Sequence, residues 1–169
     1  MRATEKVSTL LYTRFESPVG PLLLAGDENA LRLVTFESSK RSTPPQPSWE
    51  QNRGAFAEVI RQLQAYFRGD LKGFDLPLAL DGTEFQLRVW NALRTIPYGE
   101  TISYSQLAQR IGNPKAVRAV GLANGSNPIP IIVPCHRVVG SDGSLTGFGG
   151  GLSTKKMLLE LESRQLSLL

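Results

Sequence analysis

At 169 residues, 41% of them hydrophobic, the chain is long enough for one compact domain or two small ones sharing a core, and too apolar to be disordered throughout. Nineteen basic residues against fifteen acidic leave +4, three of those charges beyond position 80, a surplus that permits contact with nucleic acid without demanding it. One cysteine and one histidine exclude an internal disulfide, a CxxC redox pair and a Cys/His-rich zinc site, so no metal is expected. No apolar run approaches the roughly 18 residues of a membrane span. The opening MRATEKVSTLLYTRFESP lacks the apolar core of a leader peptide, so a cytoplasmic protein without membrane attachment is expected.

The first third reads as strands. TLLYTRF (9–15), PLLLAG (21–26) and ALRLVTF (30–36) are short and rich in Leu, Val, Thr, Tyr and Phe, with SPVG (17–20) and GDEN (26–29) as turns, which predicts an antiparallel meander. The proline-bearing SSKRSTPPQPSWEQN (38–52) predicts a surface loop. In AFAEVIRQLQAYFRG (55–69), Phe56, Val59, Ile60, Leu63, Tyr66 and Phe67 form one helical stripe that Gly69 ends. A stretch around 70–82 leads into a second unit. There TEFQLRVWNALRTI (83–96) is a helix with Thr83 as its cap and Pro97 and Gly99 as its stop.

SYSQLAQRIG (103–112) has Ser103 three residues before Gln106, a capping box; NPKAVRAVGLANG (113–125) has Asn113 in place to cap and Pro114 at the first helical position. Gly112 and Asn113 allow a tight reversal, so the pair reads as a helix-turn-helix. NPIPIIVPC (127–135) alternates proline with β-branched residues and reads as an extended, buried segment. GSDGSLTGFGGG (140–151) is a glycine-rich loop, and STKKMLLELES (153–163) a final helix capped at Ser153.

The only cysteine and the only histidine are adjacent, in PCHR (134–137). A lone cysteine is most often a buried small hydrophobe. This pair, however, lies between an apolar segment and a polar glycine-rich loop, where a core segment reaches a cleft. A reactive Cys135 needs a proton acceptor, because a free thiol ionises near about pH 8.5. His136 supplies one, directly or through a water, and its other ring nitrogen needs an acceptor in turn. Glu162, on the helix face shared with Lys155, Leu158 and Leu159, is the candidate; the plain alternative is an exposed glutamate. Arg137 adds positive charge or enters a structural pair. AVRAVGLANG (116–125) offers alanines and glycines where a major-groove reader carries Arg, Asn and Gln. Such a surface suits close approach to a narrower groove, with Arg118 projecting into a base stack from which a nucleotide has been extruded. Small residues equally suit plain helix packing. GFGGG (147–151) matches neither GxGxxG nor a GKS/T loop, and reads as an adaptable pocket wall.

NPIPIIVPCHRVVG (127–140), RAVGLANG (118–125), TISYSQLA (101–108) and GLSTKKMLLELE (151–162), in this order and spacing, closely resemble the O6-alkylguanine-DNA alkyltransferase (methylated-DNA–protein-cysteine methyltransferase) family over about residues 83–163. The resemblance implies that Cys135 accepts the alkyl group, that His136 activates it through a water, that Glu162 orients His136 and that Asn127 braces the turn around them. It implies that Tyr104 binds at the base and donates a proton as guanine leaves, and that Arg118 fills the space of the flipped nucleotide. Phe148, where many relatives carry tyrosine, would keep an aromatic pocket wall without its hydroxyl, beside the Gly149 backbone near O6 and Val138. Ser103, Asn113, Lys115, Ala119 and Gly121 are the further DNA contacts implied. Some relatives hold zinc through N-terminal cysteines and histidines that this chain lacks. Non-enzymatic relatives carry tryptophan at the reactive position, where this chain has Cys135.

The expected fold is therefore mixed α/β: a small antiparallel sheet plus helix, ribonuclease-H-like, over 1–80, joined to a mostly helical domain with the helix-turn-helix over 81–169. The expected function is DNA repair by irreversible transfer of an alkyl group from O6-alkylguanine, with O4-alkylthymine as a further candidate, in double-stranded DNA to Cys135. One event per molecule and no cofactor are expected, because a thioether has no carbonyl for water to attack and the chain has no second thiol. A monomer is expected. Two other readings stay open: a non-catalytic helix-turn-helix damage sensor in which Cys135 is structural, and a cysteine hydrolase, which leaves the helix-turn-helix and Arg118 unexplained.

Overall fold

The strand-forming runs of the first third pair as their composition predicts. In the structure, a computed structural model that describes residues 9–167, β1 (Leu11–Ser17), β2 (Gly20–Gly26) and β3 (Leu31–Phe36) form an antiparallel meander. The opening positions 1–8, read above as free of a leader pattern, lie outside the described residues. β4 (Glu50–Gln51), a two-residue strand at the end of the expected loop, pairs in parallel with β1, so the sheet order is β3-β2-β1-β4. Gly20, at φ 100°, makes the first turn, and the Asp27 carboxylate accepts from the Asn29 and Ala30 amides in the second.

Helix α1 (Ala57–Arg68) follows a short 3-10 turn and ends at Gly69, left-handed at φ 82°. Its Val59, Ile60, Leu63 and Tyr66 pack in one core with Leu22 and Leu24 of β2. The segment after it does not leave the sheet at once. Leu31 N–H donates to Pro77 O and Ala79 N–H to Leu31 O, while Val34 N–H donates to Pro128 O. These bonds cover the outer edge of β3, which would otherwise expose unpaired backbone groups.

In the second half, α2 (Glu84–Leu93) and α3 (Tyr104–Arg110) both start on complete capping boxes, Thr83 with Gln86 and Ser103 with Gln106. β5 (Ile102–Ser103) pairs in parallel with β6 (Val138–Val139), which brings the residues after PCHR beside the start of α3. α4 spans Val117–Gly125. The expected Asn113 cap is not formed: Ala116 N–H closes back on Asn113 O at 3.0 Å, and the helix begins only at Val117. Asn at the first and Pro at the second position also suit a β-turn, and here that use wins.

The segment 127–134 is buried as expected, but it is not extended throughout. Val133 N–H donates to Ile129 O at 2.9 Å, and Ile131 adopts φ 75°. Prolines at 128, 130 and 134 have no N–H for a sheet ladder, so the chain folds on itself. Cys135–Arg137 then form a 3-10 turn leading to β6. The last helix, α5 (Leu152–Ser167), starts one residue before the expected Ser153 cap, with Lys155 N–H donating to Gly151 O. One cluster of buried apolar side chains runs from Phe15, Leu63 and Tyr66 through Val89, Trp90 and Leu107 to Leu158, so both halves share a core. Among the described residues no helix is long and apolar enough to cross a membrane.

Candidate active site

The folded-back 127–134 segment delivers Cys135 to the floor of a cavity of about 300 Å³. The residue is 5% exposed, and its sulfur is the chain's single free thiol. Val34 and Phe36 of β3, residues 124–128 at the end of α4 and just beyond it, and Gly147, Phe148 and Gly149 of the glycine-rich loop line the same space. Burial pushes the thiol up to about 11, while a hydrogen bond with Asn127 and the Lys155 charge act in the opposite direction. Asn127 is itself fixed: its Nδ2 donates to Val133 O at 2.8 Å and its Oδ1 accepts from Ile129 N–H at 3.0 Å. It therefore braces the turn that carries Cys135.

Beside the thiol, His136 is fully buried, with Nε2 2.7 Å from Glu162 Oε2. Glu162 is 1% exposed and accepts four further hydrogen bonds: from Tyr66 OH at 2.6 Å, from Arg137 Nε and Nη2 at 2.8 and 3.1 Å, and from Gly99 N–H at 3.5 Å. Burial alone would raise its carboxyl. The bonds donated by His136 and Arg137, with the positive charge of Arg137, outweigh that and hold it at about 2. An ionised carboxylate only accepts, so Nε2 carries the ring proton and Nδ1 carries the lone pair. That Nδ1 is buried and has no hydrogen-bond partner among the described residues. Burial also lowers the proton affinity of the ring, which leaves His136 neutral at pH 7 and available as a base.

Arg137 takes the structural branch of its two expected roles. Besides Glu162 it reaches Ile96 O at 2.7 Å and stands over the Tyr98 ring. Two groups had no expected part. Tyr66 reads in sequence as one more member of an apolar stripe, yet its hydroxyl ends on Glu162. Lys155, read only as a neighbour of Glu162 on the helix face, is fully buried and donates to Val138 O at 2.7 Å and Thr146 O at 2.8 Å. It places a cation near Cys135 and pins the start of the glycine-rich loop. The sequence signal for Lys155 is the helical face itself: Lys155, Leu158 and Glu162 share one side of α5.

The remaining expected residues fall into two groups. Phe148 and Gly149 line the Cys135 cavity; Tyr104 and Val138 do not. Tyr104 packs against the Gly121 face of α4, and its hydroxyl accepts from Thr146 Oγ1 at 2.9 Å. Val138 is fully buried in β6, paired beside Ile102 of β5. On the outer face, Arg118 and Ala119 of α4 are exposed, as are Asn113 and Lys115 in the turn before it. Ser103 is half-buried, its hydroxyl occupied in capping α3. Leu122, one turn after Arg118, is 74% exposed, a large apolar side chain on a small-residue surface that sequence reading passed over.

Comparison with known proteins adds a family context. Residues 84–164 match the 6-O-methylguanine DNA methyltransferase DNA binding domain, and residues 10–80 match the ribonuclease-like domain of the same family. A methylated-DNA–protein-cysteine methyltransferase of Methanosarcina acetivorans is 58% identical over 153 residues, covering 90% of this chain and 98% of its own. One from Mycobacterium bovis is 55% identical over 152 residues, covering 89% and 91%. Among solved structures, Mycobacterium tuberculosis OGT in complex with DNA superposes with a TM-score of 0.86 at 52% identity, covering 92% of this chain and 94% of that one. The M. tuberculosis O6-methylguanine methyltransferase gives 0.87 at 51%, covering 95% and 99%.

Proposed function

This chain belongs to the methylated-DNA–protein-cysteine methyltransferase family, DNA-binding repair proteins that move an alkyl group onto one of their own cysteines, and from that premise we propose that its acceptor is Cys135 and its substrate O6-alkylguanine in double-stranded DNA. The observation that carries this is the placement of the single thiol on a cavity floor, next in sequence to a neutral imidazole whose Nε2 is anchored on an ionised glutamate. O4-alkylthymine is a second substrate of the same chemistry.

His136 Nδ1 takes the thiol proton through a water, and Glu162 steadies the imidazolium that forms. The sulfur attacks the alkyl carbon in line. The S–C bond forms as the C–O6 bond breaks, and the electron pair of that bond leaves with guanine. Tyr104 donates a proton to the departing base and regains one from solvent, to which His136 returns the thiol proton, so thiol plus alkylguanine become thioether plus guanine. Water finds no carbonyl on the thioether, and the chain has no second thiol to remove the group. Each molecule therefore acts once, and needs neither metal nor cofactor.

To reach O6, the base rotates out of the duplex. The α4 surface enters the minor groove, Ala119 and Gly121 allow close approach, and Arg118 occupies the vacated stack. Ser103, Asn113 and Lys115 contact the backbone, and Phe148 and Gly149 wall the base. The division of labour puts the alkyl acceptor and DNA surface in 81–169 and the supporting sheet in 1–80. The protein is read as a monomer, and a reactive lone thiol calls for the reducing cytoplasm.

The test is intact mass after incubation with duplex DNA holding one O6-methylguanine. A permanent gain of about 14 Da, mapped to Cys135 and absent in Cys135→Ser, is expected. DNA binding without mass gain would favour the damage-sensor reading.

A further inference from the structure

Ser39 lies just after β3, and its Oγ donates a 2.6 Å hydrogen bond to the carbonyl of Gly149 in the glycine-rich loop. The same oxygen accepts from Arg41 N–H at 3.2 Å, which orients the hydroxyl hydrogen toward Gly149. Next to it the Phe36 ring meets Phe148 edge-on, with centroids 5.5 Å apart at 64°. It also lies so close to Gly150 that a Cβ there would come within 3.0 Å of the ring. Phe36, Ser39, Phe148 and Gly149 all line the Cys135 cavity.

The first half of the loop closes on itself, Gly140 N–H donating to Ser144 O and Gly143 N–H to Gly140 O, but from Gly147 to Gly151 it has little to hold it from within. Lys155 and Tyr104 fix it at Thr146, and one backbone bond, Gly151 N–H to Phe148 O, spans its far end. Gly147 and Gly149 meet no neighbour where a Cβ would stand. Glycines have the widest backbone freedom, so contacts from outside decide where such a wall stands.

The geometry points to a latch: Ser39 and Phe36, supplied by the N-terminal unit, fix the glycine-rich wall of the Cys135 cavity and so set the size of alkyl group it admits. This rests on the reading of that cavity as the alkyl pocket. With the latch shut, a methyl group reaches the sulfur while a bulky group meets the wall. With it open, the wall withdraws and the bulky group gains.

The experiment compares transfer rates from O6-methylguanine and O6-benzylguanine, each in the same duplex, for the intact protein, Ser39→Ala and Ser39→Thr. Ser39→Ala is expected to raise the benzyl-to-methyl rate ratio about fivefold, the effect of losing one neutral hydrogen bond. Ser39→Thr, which keeps the hydroxyl, restores it. An unchanged ratio overturns the latch, as does a proportionate fall of both rates. Hydrogen exchange at the Gly151 amide reads the same latch without chemistry and should quicken about fivefold in Ser39→Ala, since one neutral bond no longer holds the wall. Exchange at the intact protein's rate refutes it. Failure of the intact protein to transfer either group counts against the alkyl-pocket reading, and Gly151 exchange still decides whether the latch exists.

Discussion

Tyr66 of α1 donates a 2.6 Å hydrogen bond to Glu162 of α5, so a side chain from the sheet-bearing half helps hold the carboxylate on which His136 leans. The N-terminal unit is thus wired into the site. Removing this hydroxyl takes one donor from a buried charge, and hydrogen bonds to charged groups contribute about 1.5–3 kcal/mol. Tyr66→Phe is expected to lose stability in that range in urea melts at pH 7. Alkyl transfer should slow in parallel, because the carboxylate keeps Arg137 but is less firmly aimed at the imidazole. A variant as stable as the parent would show that the bond adds nothing beyond ring packing.

Glu162 also sets a pH dependence with a definite sign. Its carboxyl, ordinarily near 4.5, is held at about 2 in the fold. A depressed acid adds stability that is full above the unfolded value and lost as pH falls from about 4.5 towards about 2. The shift corresponds to something on the order of 3 kcal/mol. Buried, neutral His136 adds an acid loss that begins higher, as pH drops below the ordinary histidine value of 6.5. Glu162→Gln should flatten the limb below pH 4.5 and lower stability at pH 7 by about 3–5 kcal/mol, because it leaves the Arg137 guanidinium buried without its anion. A melting temperature tracked from pH 8 to 2.5 reads both effects. An acid limb identical in the two proteins would remove Glu162 from the account.

What sequence showed of this site followed range. The Thr83 cap, the Ser103–Gln106 capping box, the Gly69 stop and the turns of the meander are local patterns, and they formed as read. Glu162 was legible because helical spacing places it beside Leu158 on one face. Asn113 and Pro114 misled because the same two residues serve a helix cap and a β-turn, and only the packing of α3 on α4 chooses between them. NPIPIIVPC was legible as buried and not as folded back, since Ile131 at φ 75° has no composition signal. Tyr66, Phe36 and Ser39 carry their site contacts across about a hundred residues, where a single sequence holds no record of proximity.

Arg118 is exposed on the first turn of α4, beside Ala119 and Leu122, with no carboxylate bonded to it among the described residues. If it fills the stack behind an extruded base, its value is confined to duplex substrate. Arg118→Ala should slow transfer from duplex O6-methylguanine about tenfold or more and leave reaction with the free base O6-benzylguanine close to the parent's, since no stack then needs filling. The salt dependence of duplex binding should also fall by about one counterion if the guanidinium meets phosphate on the way in. Equal slowing on both substrates would mean that Arg118 supports the fold of α4 and not the extruded state.

Lys155 places a positive charge near the buried Cys135 sulfur, and that charge favours the ionised form. Lys155 is fully buried, its ammonium meets two carbonyl oxygens and, among the described residues, no carboxylate, and burial lowers its own hold on a proton. The Cys135 thiol sits at about 11 even with this charge nearby, so loss of the charge drives it higher. Each further unit removes about nine-tenths of the thiolate present at neutral pH. Lys155→Met keeps most of the buried stem and removes only the charge and its two hydrogen bonds. Transfer at pH 7 should fall about tenfold, and the rate should recover as pH rises, because high pH supplies the thiolate that the ammonium no longer favours. A pH–rate profile from 6 to 10 distinguishes the two roles this lysine could have. Recovery at the alkaline end marks an electrostatic role, and a uniform loss at every pH would assign Lys155 to holding the Thr146 end of the loop alone.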